Sequence, residues 1–381
     1  MNETALGVFA VAVVFTLATV MLVGLVILKA VNRRRSLRRR NRRARYVALI
    51  SRHLATNTLT EPIDGSVADD DAFLDAVIDI RNVVSGREID TLAGIIDRVG
   101  LMRRQEARLR SRFPLGRRLR AAVSLAEIGD ESTAPVLLDH LSDREPEIRI
   151  QCARGLGRMQ HEPGIEAILE RFGLEAPWVR ARFADTLVGF GQKATWPLVA
   201  HVRANLRHDH NEGVVEAIRV LGIIGDREVG PSLAGILRVA TDPEVRIAAI
   251  ESLGLVGGPL AIRPLKYTFR SPDWRLRAKS ATSLGHIGDP SINRVLASGL
   301  QDSNWWVRRN SASALAGLPG GEDVLLQAIE SGDPFARDAA AEALADCGAL
   351  AAARQRHDAG QATDSDRLLL DHVGVGVQVV S

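Results

Sequence analysis

The sequence predicts an all-α solenoid of about eight helical hairpins, preceded by one transmembrane helix and a helical N-terminal cap. Three observations carry this: a leucine recurring at a period near thirty residues, small and basic residues travelling with it, and an uncharged apolar stretch near the start of the chain. The leucines are Leu125, Leu156, Leu187, Leu221, Leu253, Leu284, Leu315 and Leu344, spaced by 29 to 34 residues. Seven residues before each stands an arginine, except that Val214 takes the place in the fourth copy. Three before stands an alanine, or an isoleucine in the fourth and fifth copies, and four after stands a glycine in six of the eight. A fixed period of this length is the signature of a solenoid.

In chain order, residues 1–4 are a short leader to a stretch, Ala5 to Leu28, that carries no charge. As a helix it would be roughly 36 Å long, against a bilayer hydrocarbon core of about 30 Å. Its basic residues follow rather than precede it, which is the reverse of a secretory leader. Lys29 and then Arg33, Arg34, Arg35, Arg38, Arg39, Arg40, Arg42, Arg43 and Arg45 form a basic juxtamembrane segment, residues 29–45. The positive-inside rule then puts residues 1–4 outside and the remainder in the cytoplasm. These arginines are also expected to lie against anionic lipid, each contributing on the order of 1 kcal/mol. The formal +3 of the chain divides into +9 for residues 1–45 and −6 for residues 46–381, so the body lacks the basic footprint of a nucleic-acid binder and no nucleic-acid partner is expected. Four lysines against forty-five arginines point to a GC-rich, bacterial genome, and hence to the inner membrane of a bacterium as the location.

Residues 46–116 read as a helical linker and N-terminal cap. Tyr46, Val47, Ile50 and Leu54 form a stripe continuing from the basic segment; Asp69 to Val84 opens with aspartates suited to a helix N-terminus; Ile89, Leu92, Ile96 and Val99 mark a third helix. The stretch 56–66, with Glu61-Pro62 and Asp64-Gly65, reads as a turn. Leu101 to Arg120 carries eight arginines and one glutamate, which is either a solvated helix face or a second patch for membrane or an acidic partner.

Residues 117–348 are the solenoid. In the sixth copy Leu276, Ser280, Ala281 and Leu284 share one helical face, Gly288 supplies a left-handed helix end, and Ile292, Val295, Leu296 and Leu300 start a second helical face. One hairpin of this size cannot bury its own apolar side, so the copies must stack. The run Ile148-Arg149, Ala153, Leu156-Gly157, repeated as Val245-Arg246, Ile250, Leu253-Gly254, resembles HEAT repeats, in particular the short type found in phycobilin lyases and many bacterial proteins. The resemblance implies partner binding in general, with second helices lining a concave surface. It also leaves open a bilin lyase or isomerase as an alternative activity.

After Gly348 the chain reads as a polar tether and hydrophobic C-terminal tail, residues 349–381. Val373, Val375, Val377 and Val379 alternate with Gly374, Gly376 and Gln378, a strand-like pattern that would either pair with a partner's sheet edge or cover the last hairpin.

Fourteen residues after the index leucines stand Asp139, Glu170, His201, Gly235, Tyr267 and Ser298, a row that either grips a partner or is merely solvated. Trp178, Trp274, Trp305 and Trp306 stand nine or ten residues before an index leucine. They either staple helix starts or stack on Arg180, Arg277 and Arg308 as cation-π pairs, or else form a docking edge for a protein partner. His201, His208, Asp209 and His210 cluster without a second ligand pair, so no metal is expected. Cys152 and Cys347 read as reduced core thiols. No nucleotide-binding glycine loop, G-x-S-x-G or H-E-x-x-H occurs; no catalytic residue or cofactor is expected, and the chain reads as no enzyme. The function expected is a single-pass, membrane-anchored cytosolic scaffold or adaptor. Its partner, by the resemblance to anchored bacterial HEAT proteins, would be a membrane glycosyltransferase or polysaccharide machine.

Overall fold

The computed structural model describes the backbone of residues 3–56, 67, 70–112, 114–206 and 212–373, with side chains from Val20 onward apart from residues 32, 35, 212, 372 and 373. The fold is an all-helical, HEAT-like solenoid of twenty-one α-helices joined by short 3-10 turns, with no strand among the described residues. It divides into two compact units, Met1–Met159 and Gln160–Ser381.

The first unit begins with α1, Glu3–Thr56, followed by α2 (Asp71–Arg81), α3 (Arg87–Arg98), α4 (Leu101–Arg110), α5 (Leu115–Ile128), α6 (Ala134–Asp139) and α7 (Pro146–Met159). The cap helices appear where the apolar spacing puts them, and Asp70 starts α2 by accepting the Ala72 N–H at 2.9 Å. The last turns of α1 enter the cap's core: Ile50 is buried with Phe73, Leu74, Val77, Leu92 and Ile95, and the Tyr46 and Phe73 rings meet edge to face at 5.4 Å. The basic segment and the first cap stripe are thus one continuous helix.

The transmembrane helix predicted from residues 5–28 is not found among the described residues, where no helix is long and apolar enough to cross a membrane. The side chains of residues 1–19 lie outside the described residues, and only Val20 to Leu28 of the apolar stretch remain before the charges begin at Lys29.

The second unit holds α8 (Pro163–Phe172), α9 (Pro177–Gly189), α10 (Thr195–Asn205), α11 (Glu212–Ile224), α12 (Gly230–Val239), α13 (Pro243–Val256) and α14 (Pro259–Thr268). It continues with α15 (Trp274–Ile287), α16 (Asn293–Gly299), α17 (Trp305–Ala316), α18 (Gly321–Glu330), α19 (Pro334–Asp346), α20 (Ala349–Asp358) and α21 (Asp364–Val373). All eight index leucines lie on the odd-numbered helices α5 to α19 and are fully buried. Gly288 ends α15 in the left-handed conformation, φ 76°. In the second copy Gln160 stands where glycine stands in six others, and it adopts φ 56°, a rare conformation for a residue with a Cβ.

Four pairs of index-leucine helices, α5–α7, α11–α13, α13–α15 and α15–α17, approach at a pair of small residues. A Cβ added to Gly254 would lie 2.7 Å from the Ser283 Cβ; one on Gly285 would lie 2.7 Å from the Ala314 Cβ; one on Gly222 would lie 2.8 Å from the Ser252 Cβ. In the first unit Gly155 meets Ala126 in the same way, at 2.9 Å from its Cα. Each pair joins the residue just after the index leucine in one copy to the residue just before it in the next. The buried Ser252 hydroxyl donates to the Ile218 carbonyl at 2.8 Å, so this polar group is satisfied inside the contact.

The index arginines do a second job. Arg149, Arg277 and Arg308 each turn Nη1 back onto two carbonyls of the loop before their own helix, at 2.8 to 3.2 Å. Arg277 also grips Asp302 of the following copy through Nε and Nη2, at 2.7 and 2.8 Å, and Arg118 pairs with Asp143 likewise. Burial works to raise the Asp302 pKa, but the Arg277 guanidinium and the Asn304 N–H outweigh it and hold the carboxyl below its ordinary value.

The expected polar tether is instead helical. The second helix of the eighth copy is α20, and α21 packs on it, with Arg356 paired to Asp366 and the Thr363 N–H and hydroxyl both donating to Asp366 at 2.9 Å. A polar composition suggests a tether, whereas Arg356 and Asp366 satisfy one another here and Leu369 is buried. The strand-like pattern from residue 374 onward lies outside the described residues.

Leu253→Ala should cost about 2–5 kcal/mol, and Gly254→Val should lower the melting temperature at least as clearly, because its branches meet the Ser283 backbone region; an unchanged melting temperature for either would refute the packing. Asp302→Asn should cost about 1–3 kcal/mol at neutral pH. Since the folded pKa lies below the unfolded one, this contribution is present above the ordinary carboxylate value and disappears as pH falls through the lowered one. Acid titration of melting temperature should therefore show a smaller drop in the variant than in the native chain.

Candidate functional site

Four helices of the second unit, α9, α15, α17 and α19, begin with a large aromatic residue nine or ten positions before the index leucine: Trp178, Trp274, Trp305 with Trp306, and Phe335. Three of these starts are set by side-chain caps, Asp273 accepting from the Arg275 N–H, Asn304 from the Trp306 N–H and Asp333 from the Phe335 N–H, each at 2.9 Å, while α9 opens on Pro177. A first-turn residue at this offset falls beside the buried stripe. The tryptophans accordingly remain 40 to 51% exposed and Phe335 63%.

A hydrophobic staple precedes the N-cap, while Trp274, Trp305 and Trp306 follow it, so stapling does not describe them. The expected stacking on Arg180, Arg277 and Arg308 is also largely absent. Arg180 is buried, Arg277 is committed to Asp302, and Arg308 lies 4.9 Å from the Phe335 ring centroid of the next copy rather than over a tryptophan. Arg277 and Arg308 are instead engaged by the carbonyls of the loop before their helix, and Arg277 by the following aspartate. Trp305 is instead covered by Arg309, at 5.2 Å, and meets Trp306 edge to face with centroids 4.6 Å apart. Phe335 was missed because the pattern was sought among tryptophans only; its offset from Leu344 would have identified it.

The polar row is dispersed in character. Asp139, Glu170, Tyr267 and Ser298 are exposed on α6, α8, α14 and α16, whereas Gly235 is half-buried. His201 is half-buried with its ring edge-on to Phe172 at 6.4 Å, and burial pushes its pKa down. His208, Asp209 and His210 lie outside the described residues. Cys152 is buried, with its thiol pKa pushed up by that burial; Cys347, expected in the core, is exposed at the end of α19.

The basic segment of α1 does not act as one surface. Arg39, Arg42 and Arg43 are paired with Asp75, Asp70 and Asp79 of the α2 region, at 2.5, 3.0 and 2.5 Å. The Asp79 hydrogen bond comes first among the causes that raise the Arg43 pKa. Arg33, Arg34, Arg38, Arg40 and Arg45 are exposed, and the side chain of Arg35 lies outside the described residues. Ahead of them Val20, Met21, Leu22, Val23, Leu25, Val26, Ile27 and Leu28 are exposed around the whole circumference of α1.

Comparison with known proteins bears on the fold. The family of HEAT repeats matches at residues 106–188, 199–268 and 262–345, more than half of the chain. No curated protein matches. Among solved structures, human deoxyhypusine hydroxylase in complex with glycerol is similar at 19% identity over 65% of this chain and 95% of that one, with a TM-score of 0.28. Importin beta is similar at 17% identity over 86% of this chain and 53% of that one, TM-score 0.49. The CpcE–CpcF complex of phycocyanin lyase from Nostoc sp. PCC7120 is similar at 17% identity over 70% and 98%, TM-score 0.33. At these values none of the three bears on what this chain binds or does. The matched stretches take in all eight buried index leucines, and the chain belongs to the family of HEAT repeats.

Proposed function

We propose that this chain is a non-catalytic scaffold that holds a protein partner at a membrane, with α1 as the attachment and the aromatic edge of the second unit as the docking stripe. The observation that carries the docking reading is the exposure of Trp178, Trp274, Trp305, Trp306 and Phe335 at one recurring structural position. Tryptophan and arginine dominate the energetics of protein interfaces, and the Trp305–Arg309 contact presents both together. A large aromatic side chain left half exposed once is ordinary; four helices doing so at the same offset is the mark of a binding surface.

The membrane reading rests on α1. Its residues 5–28 are uncharged in sequence, and the described part, Val20 to Leu28, turns aliphatic side chains outward in every direction. A helix apolar all round buries itself in protein or in lipid. Arginines follow at once, which fits a cytoplasmic orientation of the body in a bacterial inner membrane. The polar row at Asp139, Glu170, His201 and Tyr267 is assigned no part in docking.

The test is fractionation joined to mutagenesis. The full chain should remain with membranes after an alkaline wash and be released when residues 1–28 are deleted; release of the full chain would overturn the attachment. Trp305→Ala/Trp306→Ala should leave the melting curve in place while weakening recovery of a cross-linked partner by about thirtyfold, the loss of one hot spot of roughly 2 kcal/mol. Undiminished recovery would remove this edge as the docking site.

A further inference from the structure

Three consecutive first helices of the second unit, α15, α17 and α19, each bring an exposed aromatic residue to their first turn: Trp274, Trp305 with Trp306, and Phe335. Trp178 stands apart from them, because α11 and α13 lie between and carry no aromatic residue in their first turns. Helix α15 packs on α17, and α17 on α19. Helices packed directly on one another lie about 8–10 Å apart, axis to axis, so equivalent first turns recur at about that interval. Contacts tie the last two stations together. Arg308 lies 4.9 Å from the Phe335 ring centroid, Arg309 lies 5.2 Å from that of Trp305, and Trp305 meets Trp306 at 4.6 Å.

The charges of this edge are already engaged. Arg309 is matched by Glu342 at 3.2 Å, Arg275 by Asp273 at 2.9 Å and Arg277 by Asp302 at 2.7 Å, while Arg308 holds two loop carbonyls. Such an edge complements an uncharged occupant better than an acidic or basic one. What it presents is ring surface and hydrogen-bond donors: the indole N–H groups of Trp274, Trp305 and Trp306 meet no acceptor among the described residues. An occupant suited to it must place one apolar group on each station and turn free carbonyls toward the indoles. An α-helix uses its carbonyls internally, and a β-strand turns alternate side chains to opposite faces. Polyproline II has no internal hydrogen bonds, keeps its carbonyls open and repeats every three residues, or about 9 Å. That repeat matches the interval between stations.

We propose that the edge formed by α15, α17 and α19 binds an uncharged, proline-rich segment of the partner in the polyproline II conformation, with every third residue a proline seated on one copy's aromatic side chain. This rests on the docking reading above and names the class of partner for that same edge. The pyrrolidine rings cover the aromatic faces, and peptide carbonyls accept from the indole N–H groups. A segment already extended loses little conformational freedom on docking, which suits a shallow edge that encloses no cavity.

The experiment uses the full chain in detergent and a fluorescent peptide of about ten residues, enough for three polyproline II turns, built on a Pro-Gln-Ala repeat. A control peptide carries alanine in place of each proline. The native chain should bind the proline peptide, and Trp274→Ala and Trp305→Ala/Trp306→Ala should each weaken binding by about tenfold or more, against about twofold or less for Trp178→Ala. Raising salt from about 0.05 M to about 0.5 M should change the affinity by less than about twofold, because no charge is recruited. No binding at about 1 mM proline peptide, or equal binding of the alanine control, would overturn the proposal. Loss in Trp178→Ala equal to that in the other variants would overturn the three-helix site, and tighter binding of a leucine-bearing amphipathic helical peptide would overturn the polyproline II class in favour of a helix. Should the alanine variants melt early, Trp305→Phe/Trp306→Phe keeps the rings and removes the N–H donors. It should still weaken binding several-fold, and unweakened binding would overturn the indole–carbonyl contact on which the assignment rests. Recovery of the cross-linked partner reads the docking edge separately. A partner lost from Trp305→Ala/Trp306→Ala, with no proline-peptide binding by the native chain, would overturn the proline class and leave the docking edge standing; a partner retained by that variant would overturn the docking edge itself.

Discussion

Close approach of successive index-leucine helices is the constraint on which the rest of this fold depends. In the pairs α5–α7, α11–α13, α13–α15 and α15–α17 the distance between helices is set by what stands one residue to either side of the leucine. Gly222 with Ser252, Gly254 with Ser283 and Gly285 with Ala314 leave no room for a further methyl group on the glycine. The exception supports the rule. In the third and fourth copies the equivalent residues are Val188 and Val220, and α9 and α11 pack less extensively than the pairs that follow. The longest leucine spacing in the series, from Leu187 to Leu221, falls at the same point.

A contact made of glycine, alanine and serine supplies little apolar area, and the fold compensates with polar links of high directionality. Arginine is suited to this because one side chain reaches loop carbonyls with Nη1 while Nε and Nη2 take the aspartate of the next copy, as Arg277 does. In the copies of Arg149, Arg277 and Arg308 the loop before the first helix is thereby fixed to the helix it introduces. This commitment explains why the tryptophans at the helix starts are left without arginine partners from the index column. What the repeat does not use, it leaves on its surface, and the aromatic edge is such a remainder.

The first unit uses arginine differently. Its charges are spread over α1, α4 and α5, with α2 supplying aspartates, so that Arg39 and Arg43 tie the long helix to the cap through Asp75 and Asp79. Ion pairs at the partly exposed positions of this surface contribute modestly to stability. The core contact of Ile50 and the Tyr46–Phe73 pair bear the packing. A single continuous α1 then joins an exposed aliphatic band at one end to that core at the other.

Much of the fold was legible in the sequence because its determinants are local and periodic. Helical spacing fixes which face of a helix is apolar, and repetition at about thirty residues shows which position is buried in every copy; the eight leucines are all in the core, and Gly288 is left-handed as its place after the helix requires. The offset of the tryptophans from those leucines likewise placed them at helix starts. Other features depended on partners far along the chain, for which local pattern holds no information. An arginine can reach many acceptors, so nothing in residues 38–42 or 104–120 taken separately tells that they face one another, or that Arg277 prefers Asp302 to an indole. Polarity in residues 354–366 was equally compatible with disorder and with the Arg356–Asp366 clamp that makes a helical pair of it. By itself the sequence determined the repeat, its helices and its buried positions, through short-range periodicity; the pairing of charges was decided only by tertiary structure, because Coulomb and hydrogen-bond partners are chosen by distance in space.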